Sequence, residues 1–202
     1  MEINISELMK SSKSTLEGKW GLAIGTFLVF MLLSGGVQAT SETYPVMGIV
    51  AALIVGPFAV GLSKFSLHIA RNEEARFEDS FSGFSNFLNA FLAYLLMMII
   101  VLVGMVLLIV PGIIAAMALS MTFFIMSEDT SISAIDALKK SHAMMNGYKM
   151  SYFLLSLRYL ALTILCILTL GIGLFWLLPY IYVTNATFYE LINEDTSIDI
   201  LA

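Results

Sequence analysis

The side chains that could carry chemistry are few, and their spacing matches no common catalytic or metal-binding motif. His68 and His142 are the only histidines, and they are not spaced as two ligands on one element. Cys166, the only cysteine, lies in an apolar run, where a thiol behaves as a small hydrophobic side chain. No glycine-rich phosphate loop or nucleophile elbow is present. The sequence therefore predicts no catalytic residue, metal ion or cofactor, and we expect that the protein is not an enzyme.

Carboxylates are concentrated in two segments, residues 73–79 and 190–199. Proton- and ion-coupled carriers usually keep ionisable groups in the middle of their membrane helices, where these groups mark the ion path. Both acidic segments lie instead beyond the ends of the long apolar stretches. We interpret them as a solvated loop and a solvated tail rather than as the acid and base of a catalytic pair.

Arg158 is the only charged residue between Lys149 and Glu190. In a helix that begins at Ser151 it lies roughly 10 Å along the axis, at 1.5 Å per residue. A long side chain can extend from that depth to the membrane surface. We expect it to do so beside an acidic partner such as Glu190 or Glu128, and contact with a lipid headgroup or a substrate is the alternative.

Three further residues complete the predicted contacts to a lipid headgroup or a substrate: Lys139, Lys140 and Asn185. The two lysines belong to a basic segment on the predicted inner side of the membrane. Asn185 lies near the inner end of the last apolar stretch, and Asn86 and Asn89 lie near the start of the third. Hydrogen bonding between helices is the competing explanation for all three asparagines.

The amino-acid composition indicates the class of protein in which these residues are placed. Of 202 residues, 59% are hydrophobic and 12% are charged, whereas soluble domains are about 45–50% apolar and about one quarter charged. Ten Lys and Arg stand against fifteen Asp and Glu, for a net charge of −5, so no basic surface for nucleic acid is expected. The chain is therefore predicted to be a single polytopic membrane domain over residues 1–202.

Four charge-free stretches meet or approach the length of about 20 residues that crosses a bilayer. The two longest are divided by the Pro111-Gly112 pair and by the segment 171–173, because proline and glycine interrupt helices. We predict six spans, at residues 20–38, 46–63, 86–109, 112–127, 151–169 and 173–190.

The distribution of cations supports this number of spans. Lys and Arg collect in cytoplasmic loops, and six spans with both termini inside place all ten of them on the inner side. The outer loops then carry one charge, Glu42. Five or seven spans would distribute the cations over both faces, so we predict cytoplasmic N- and C-termini.

Each predicted helical hairpin is preceded by a segment with the pattern of a short amphipathic surface helix on the cytoplasmic side. These segments are residues 6–18, 73–83 and 131–146. In the third, Ser133 and Asp136 match a capping box, and Ile135 and Leu138 are predicted on the apolar face. The predicted fold is an all-α integral membrane protein with six transmembrane helices arranged as three hairpins.

The first and third surface segments align at an offset of 129 residues. Ser12 matches Ser141, and Gly18 matches Gly147. Repeats of a surface helix followed by a hairpin would explain this alignment, and chance similarity between amphipathic helices is the alternative.

Small residues are spaced for close helix packing in three of the predicted spans. Gly21 with Gly25, Gly56 and Gly112 belong to these stripes, and small residues allow membrane helices to approach each other closely. We expect contacts within one chain, and a dimer of two copies is the alternative.

The C-terminal half carries several family motifs. They are the runs 108–114 (LIVPGII) and 168–174 (LTLGIGL), Pro179-Tyr180 and the run 186–189 (ATFY). Together they resemble the uncharacterised bacterial integral membrane proteins of the domain of unknown function 975 family. That family is similar in turn to the membrane domain of some glycerophosphoryl diester phosphodiesterases. The resemblance implies a multi-pass protein of the bacterial cytoplasmic membrane, and it implies no catalytic residue.

Three functions are compatible with these observations. The first is a non-enzymatic scaffold or accessory subunit whose cytoplasmic face contacts membrane lipids, another membrane protein or a second copy of the chain. The alternative is a transporter or permeation component for a small amphiphile, which a polar cavity lined by Asn86, Asn185 and Arg158 would favour. The third is a membrane enzyme of lipid metabolism, which a carboxylate or histidine pair at the inner surface would favour.

Overall fold

The computed structural model describes residues 3–41 and 44–201, and this part of the chain is helical throughout, without strands. It contains nine α-helices and one 3-10 helix, η1, between the third and fourth of them. In chain order they are α1 (Ile5–Thr15), α2 (Trp20–Ser41), α3 (Pro45–Ala70), η1 (Phe77–Asn86), α4 (Phe87–Leu107), α5 (Ile109–Ala118), α6 (Thr122–Glu128), α7 (Ala134–Met144), α8 (Lys149–Leu168) and α9 (Leu174–Leu201). The all-α prediction is confirmed.

In the part of the chain that the structure describes, five segments are long and apolar enough to cross a membrane, judged by length and composition. They are Trp20–Val37, Val46–Ala70, Phe77–Leu107, Ile109–Glu128 and Lys149–Leu168. The sixth predicted span falls in α9, which has 28 residues. The side chains of Thr184, Asn185, Thr187 and Glu190 make this helix more polar than the other five segments.

Side-chain caps begin α1 and α7, and glycines follow their ends. The side chain of Asn4 accepts hydrogen bonds from the backbone N–H groups of Ser6 and Glu7 at the start of α1. At the start of α7, the hydroxyl of Ser133 accepts a hydrogen bond from the N–H of Asp136. Beyond the two helices, Gly18 and Gly147 have φ angles of +79° and +89°, which glycine adopts without steric strain.

The turn between the third and fourth predicted spans lies earlier than predicted. The chain turns at Leu108, whose backbone is extended, and Pro111 lies inside the first turn of α5. Proline is tolerated there because the first N–H groups of a helix have no partner within the helix. Gly104 and Gly112 then lie so close that a Cβ atom on Gly104 would be 2.8 Å from the Cα of Gly112.

The predicted span 112–127 is a broken helix. α5 ends at Ala118 and α6 begins at Thr122, and the buried side chain of Ser141 on α7 fits into the break. Its hydroxyl donates a hydrogen bond to the carbonyl of Ala118 (3.0 Å) and accepts one from the N–H of Met121 (3.2 Å). A helix from outside the span therefore satisfies backbone groups that the break leaves without partners.

The centre of the described bundle is filled by side chains of α3, α6 and α9. The rings of Phe124 and Tyr189 stack with centroids 5.6 Å apart. Phe188 is fully buried in the same apolar cluster, whereas Phe65 and Val183 are fully buried in a second cluster with side chains of α2. The two clusters together form the apolar core in which α3 packs on α6 and α9.

The three surface elements differ in the helices that they contact most. α1 packs chiefly on α9, η1 packs chiefly on α3, and α7 packs chiefly on α6 and α4. The closest approach is between η1 and α3. A Cβ atom on Gly61 would be 1.9 Å from the carbonyl oxygen of Ser80, and a Cβ atom on Gly83 would be 2.0 Å from the carbonyl oxygen of Pro57.

The offset of 129 residues seen in the sequence is also present in the structure. Adding 129 to the first and last residue numbers of α1 gives those of α7. Adding 129 to the first residue numbers of α2 and α3 gives the first residue numbers of α8 and α9. Ser12 and Ser141 are both fully buried. The hydroxyl of Ser12 donates a hydrogen bond to Thr187 of α9 over 3.1 Å.

α7 turns the face that carries Ala137, Leu138 and Ser141 toward the bundle, and Ile135, predicted on the apolar face with Leu138, is 55% exposed. The prediction of close packing by the small residues of α2 is wrong. A Cβ atom on Gly21 or Gly25 would have no neighbour within 4 Å outside its own helix. These two glycines of α2 therefore do not support close packing within the chain.

Candidate functional site

Arg158 is exposed on α8 and has different partners from those predicted. Its guanidinium donates a hydrogen bond to the hydroxyl of Ser6 on α1 (2.9 Å) and contacts the sulfur of Met9 at 3.9 Å. The prediction of Glu190 or Glu128 as its acidic partner is wrong, because both carboxylates bind another arginine. Arg158 therefore links α8 to the surface helix α1.

Asn185 lies at a helix interface. Its side-chain oxygen accepts a hydrogen bond from the hydroxyl of Tyr159 on α8 over 3.1 Å. Asn86 donates to the backbone carbonyl of Thr130, and Asn89 donates to Asn86. Hydrogen bonding within the chain therefore accounts for the three asparagines, and Asn86, Asn185 and Arg158 are engaged in different places.

Lys139 and Lys140 are both exposed on α7. Lys140 lies near Asp129, whose pKa is lowered, chiefly by the hydrogen bond from the side chain of Ser131 and then by the backbone N–H of the same residue. Lys139 lines an apolar groove beside α7. The structure thus distributes the four predicted contacts over the α1 side, the α7 side and the interface between α8 and α9.

An ion cluster that the sequence did not predict joins the three central helices at one end. Arg71, directly after α3, binds the carboxylates of Glu128 on α6 and Glu190 on α9, the latter at 2.7 Å. The hydroxyl of Tyr189 donates to Glu128 over 2.5 Å. The hydrogen bond with Glu190 is the largest of the effects that raise the pKa of the Arg71 guanidinium above its ordinary value.

A second polar cluster attaches η1 to the same end of α3. The carboxylate of Asp79 lies 2.9 Å from the ring of His68 and accepts the backbone N–H of Arg76 over 2.8 Å. Its side chain is only 17% exposed. The prediction that the acidic segments are a solvated loop and tail is wrong for Asp79 and for Glu190, because helix packing brings a basic group to each of them.

Two apolar grooves lie beside the surface helices. The first, which we call the α1 groove, has a volume of about 380 Å³. Its lining includes Met9, Lys13, Leu162, Leu165, Trp176 and Tyr180. Leu165 and Trp176 are more than half exposed, so the groove opens to the outside of the bundle. Tyr180 ties it to α1 by donating a hydrogen bond to the carbonyl of Met9 (2.9 Å).

The second groove, which we call the α7 groove, has a volume of about 490 Å³. Its lining includes Ile100, Pro111, Ile114, Leu138, Lys139 and His142. Ile100 and Ile114 are more than 40% exposed, so this groove also opens outward. Both grooves combine an apolar surface on candidate membrane spans with a basic side chain on a surface helix.

Within residues 3–41 and 44–201, no three His, Cys, Asp or Glu side chains are grouped to hold a metal ion. The carboxylates of Glu128 and Glu190 are brought together, but both accept hydrogen bonds from one guanidinium. The sequence analysis did not predict this cluster. Its only sequence signal is that Arg71, Glu128 and Glu190 fall at the predicted inner ends of different spans, and this signal does not say which spans are neighbours.

The comparisons with known proteins give one match. The model of a family described as "Protein of unknown function (DUF975)" matches residues 1–113 and residues 97–196. No curated protein and no solved structure matches the chain. The two matched ranges together span nearly the whole sequence.

Proposed function

The chain belongs to the DUF975 family of proteins of unknown function, and we propose that this member is a non-enzymatic multi-pass membrane protein that serves as a scaffold or accessory subunit. Its working surface is the cytoplasmic face formed by α1, η1 and α7, which contacts membrane lipids or a partner protein. The relation to the membrane domain of glycerophosphoryl diester phosphodiesterases stays a prediction.

The filled centre of the bundle is the observation that carries this proposal. A transporter for a small amphiphile needs a path between its helices, and the space between α6 and α9 is occupied by the stacked rings of Phe124 and Tyr189. Asn86, Asn185 and Arg158 are bound to separate partners, so they do not supply the polar cavity that transport would require.

A membrane enzyme is the second candidate, because Glu128 and Glu190 meet at one end of the bundle. A pair of catalytic carboxylates usually needs environments that hold one acid and one base. Here a single guanidinium binds both carboxylates, so the two side chains share one environment. The cluster therefore supports a structural role in joining α3, α6 and α9.

Accessibility of the bundle centre tests the scaffold against the transporter. In a Cys166→Ser background, Ala186→Cys replaces a fully buried residue of α9, and Leu191→Cys replaces one that is 43% exposed. We expect an impermeant thiol reagent to label Leu191→Cys from one side of the membrane and Ala186→Cys from neither side. Labelling of Ala186→Cys would show a water-filled path and would reject the scaffold proposal.

The proposed topology has six spans in three hairpins, with both termini in the cytoplasm of a bacterium. Whether α9 crosses the membrane decides between six spans and five. Leu170, between α8 and α9, is 92% exposed, and Glu194 is exposed near the other end of α9. In the same background without Cys166, we expect Leu170→Cys and Glu194→Cys to label from opposite sides. Labelling of both from one side would show that α9 does not cross the membrane.

A further inference from the structure

The α1 groove and the α7 groove correspond to each other under the offset of 129 residues. Met9 and Lys13 line the first groove, and the residues at the matching positions, Leu138 and His142, line the second. In both cases the groove lies between one surface helix and two helices that it packs on. The two grooves therefore share a wall of the repeated surface helix, although their cations differ in position, because Lys139 of the α7 groove corresponds to Lys10 and Lys13 of the α1 groove corresponds to His142.

The occupant of such a groove is expected to be apolar along most of its length. Leu162 and Leu165 belong to one candidate membrane span, and Ile100 and Ile114 belong to two others. These side chains are turned outward, toward the hydrocarbon of the bilayer. The volumes of about 380 and 490 Å³ fall within the range of small-molecule sites in proteins, and a lipid acyl chain is the apolar molecule present at that depth.

The surface-helix side of each groove is basic. Lys13 lines the α1 groove, and the guanidinium of Arg158 lies beside it, in contact with Met9. Lys139 and His142 line the α7 groove. None of the residues that line either groove is acidic. Basic pockets beside membrane helices favour anionic lipid headgroups, and arginine binds phosphate through two parallel hydrogen bonds.

Protein side chains fill the space between η1 and the helices that it packs on. Phe58 of α3 lies 5.5 Å from Phe81 and 5.0 Å from Phe84, both of η1, between ring centroids. Phe30 of α2 packs on the other side of Phe58, at 5.3 Å. The apolar surface beside η1 is therefore covered by phenylalanine rings of the protein itself, whereas the apolar surfaces beside α1 and α7 are open grooves.

We propose that the α1 groove and the α7 groove each bind one anionic phospholipid. An acyl chain lies along the apolar groove, and the phosphate of the headgroup is held by Lys13 and Arg158 in the first and by Lys139 in the second. The proposal deepens the proposed function by naming the lipid that the cytoplasmic face contacts, and it rests on that function.

The two tryptophans of the chain allow a direct test of the α1 groove. Trp20 and Trp176 both line it, and the sequence has no other tryptophan. The purified protein is placed in mixed micelles that contain either phosphatidylglycerol or phosphatidylcholine with dibrominated acyl chains, which quench tryptophan fluorescence at short range. We expect half-maximal quenching at a roughly tenfold lower fraction of phosphatidylglycerol, because each cation near the headgroup contributes to binding.

Three variants make the test specific. Lys13→Gln with Arg158→Gln should abolish the preference for phosphatidylglycerol, and Cys166→Phe, which fills the groove, should weaken quenching by both lipids. Lys10→Gln removes an exposed cation of α1 that does not line the groove, and it should retain the preference.

Equal quenching by the two lipids in the native chain would overturn the proposal, as would a preference that persists without Lys13 and Arg158. Weak quenching that increases on dilution of the protein would also overturn it, since a second copy of the chain would then cover the groove. These failures leave the labelling of Ala186→Cys unchanged, so they are distinguishable from a failure of the scaffold proposal.

Discussion

Replacement of Gly61 with alanine will destabilise the protein by at least about 3 kcal/mol, because overpacking against backbone atoms forces whole elements apart. The new methyl group would lie 1.9 Å from the carbonyl oxygen of Ser80 and 2.3 Å from its carbonyl carbon. No side-chain rotation can relieve this clash, and η1 must move away from α3. Thermal unfolding of the purified protein in detergent measures the effect.

Gly25→Ala provides the matched control for this experiment. A Cβ atom there meets nothing within 4 Å outside its own helix, and alanine favours a helix over glycine by about 1 kcal/mol. We expect unchanged or slightly raised stability for this variant. Equal destabilisation of Gly61→Ala and Gly25→Ala would show that α3 and η1 are not in close contact.

Replacement of Arg71 with methionine will produce the second large loss of stability, about 2–3 kcal/mol. The carboxylates of Glu128 and Glu190 are 30% and 24% exposed, and without the guanidinium they repel each other at the end of the bundle. We expect a smaller loss of stability than for a fully buried ion pair, because water reaches both carboxylates and weakens their repulsion. The midpoint of thermal unfolding in detergent again measures the change.

The control for Arg71 is Arg76→Met, because Arg76 and its partner Glu74 have side chains that are 65% and 77% exposed. An exposed pair of this kind contributes less than about 1 kcal/mol. Adding Glu128→Gln and Glu190→Gln to Arg71→Met should restore part of the lost stability, since the uncompensated charges are then removed. Similar losses for Arg71→Met and Arg76→Met would contradict the cluster.

The features that were predictable from the sequence depend on residues close together in the chain. The capping pair Ser133 and Asp136 and the starts of the apolar helices follow from local steric and hydrogen-bonding preferences. The correspondence between α1 and α7 was visible for the same reason, because an offset along the chain requires no knowledge of packing.

The features that the sequence did not reveal depend on which helices are neighbours. Arg71, Glu128 and Glu190 come from three separate helices, and several other cations could equally have paired with either carboxylate. Ile135 and Leu138 were placed together on the apolar face of α7 by their apolarity alone, and of the two only Leu138 is buried against the bundle. Arg158 was assigned an acidic partner because charge was the only available criterion, and a serine on α1 binds it instead.

The break between α5 and α6 has a consequence for the biosynthesis of the chain. The carbonyl of Ala118 and the N–H of Met121 receive their partner from Ser141, which leaves the ribosome only after the whole of this span. The broken conformation of this span therefore has its backbone partners only after α7 has been made, so the middle of the protein depends on the start of its last third.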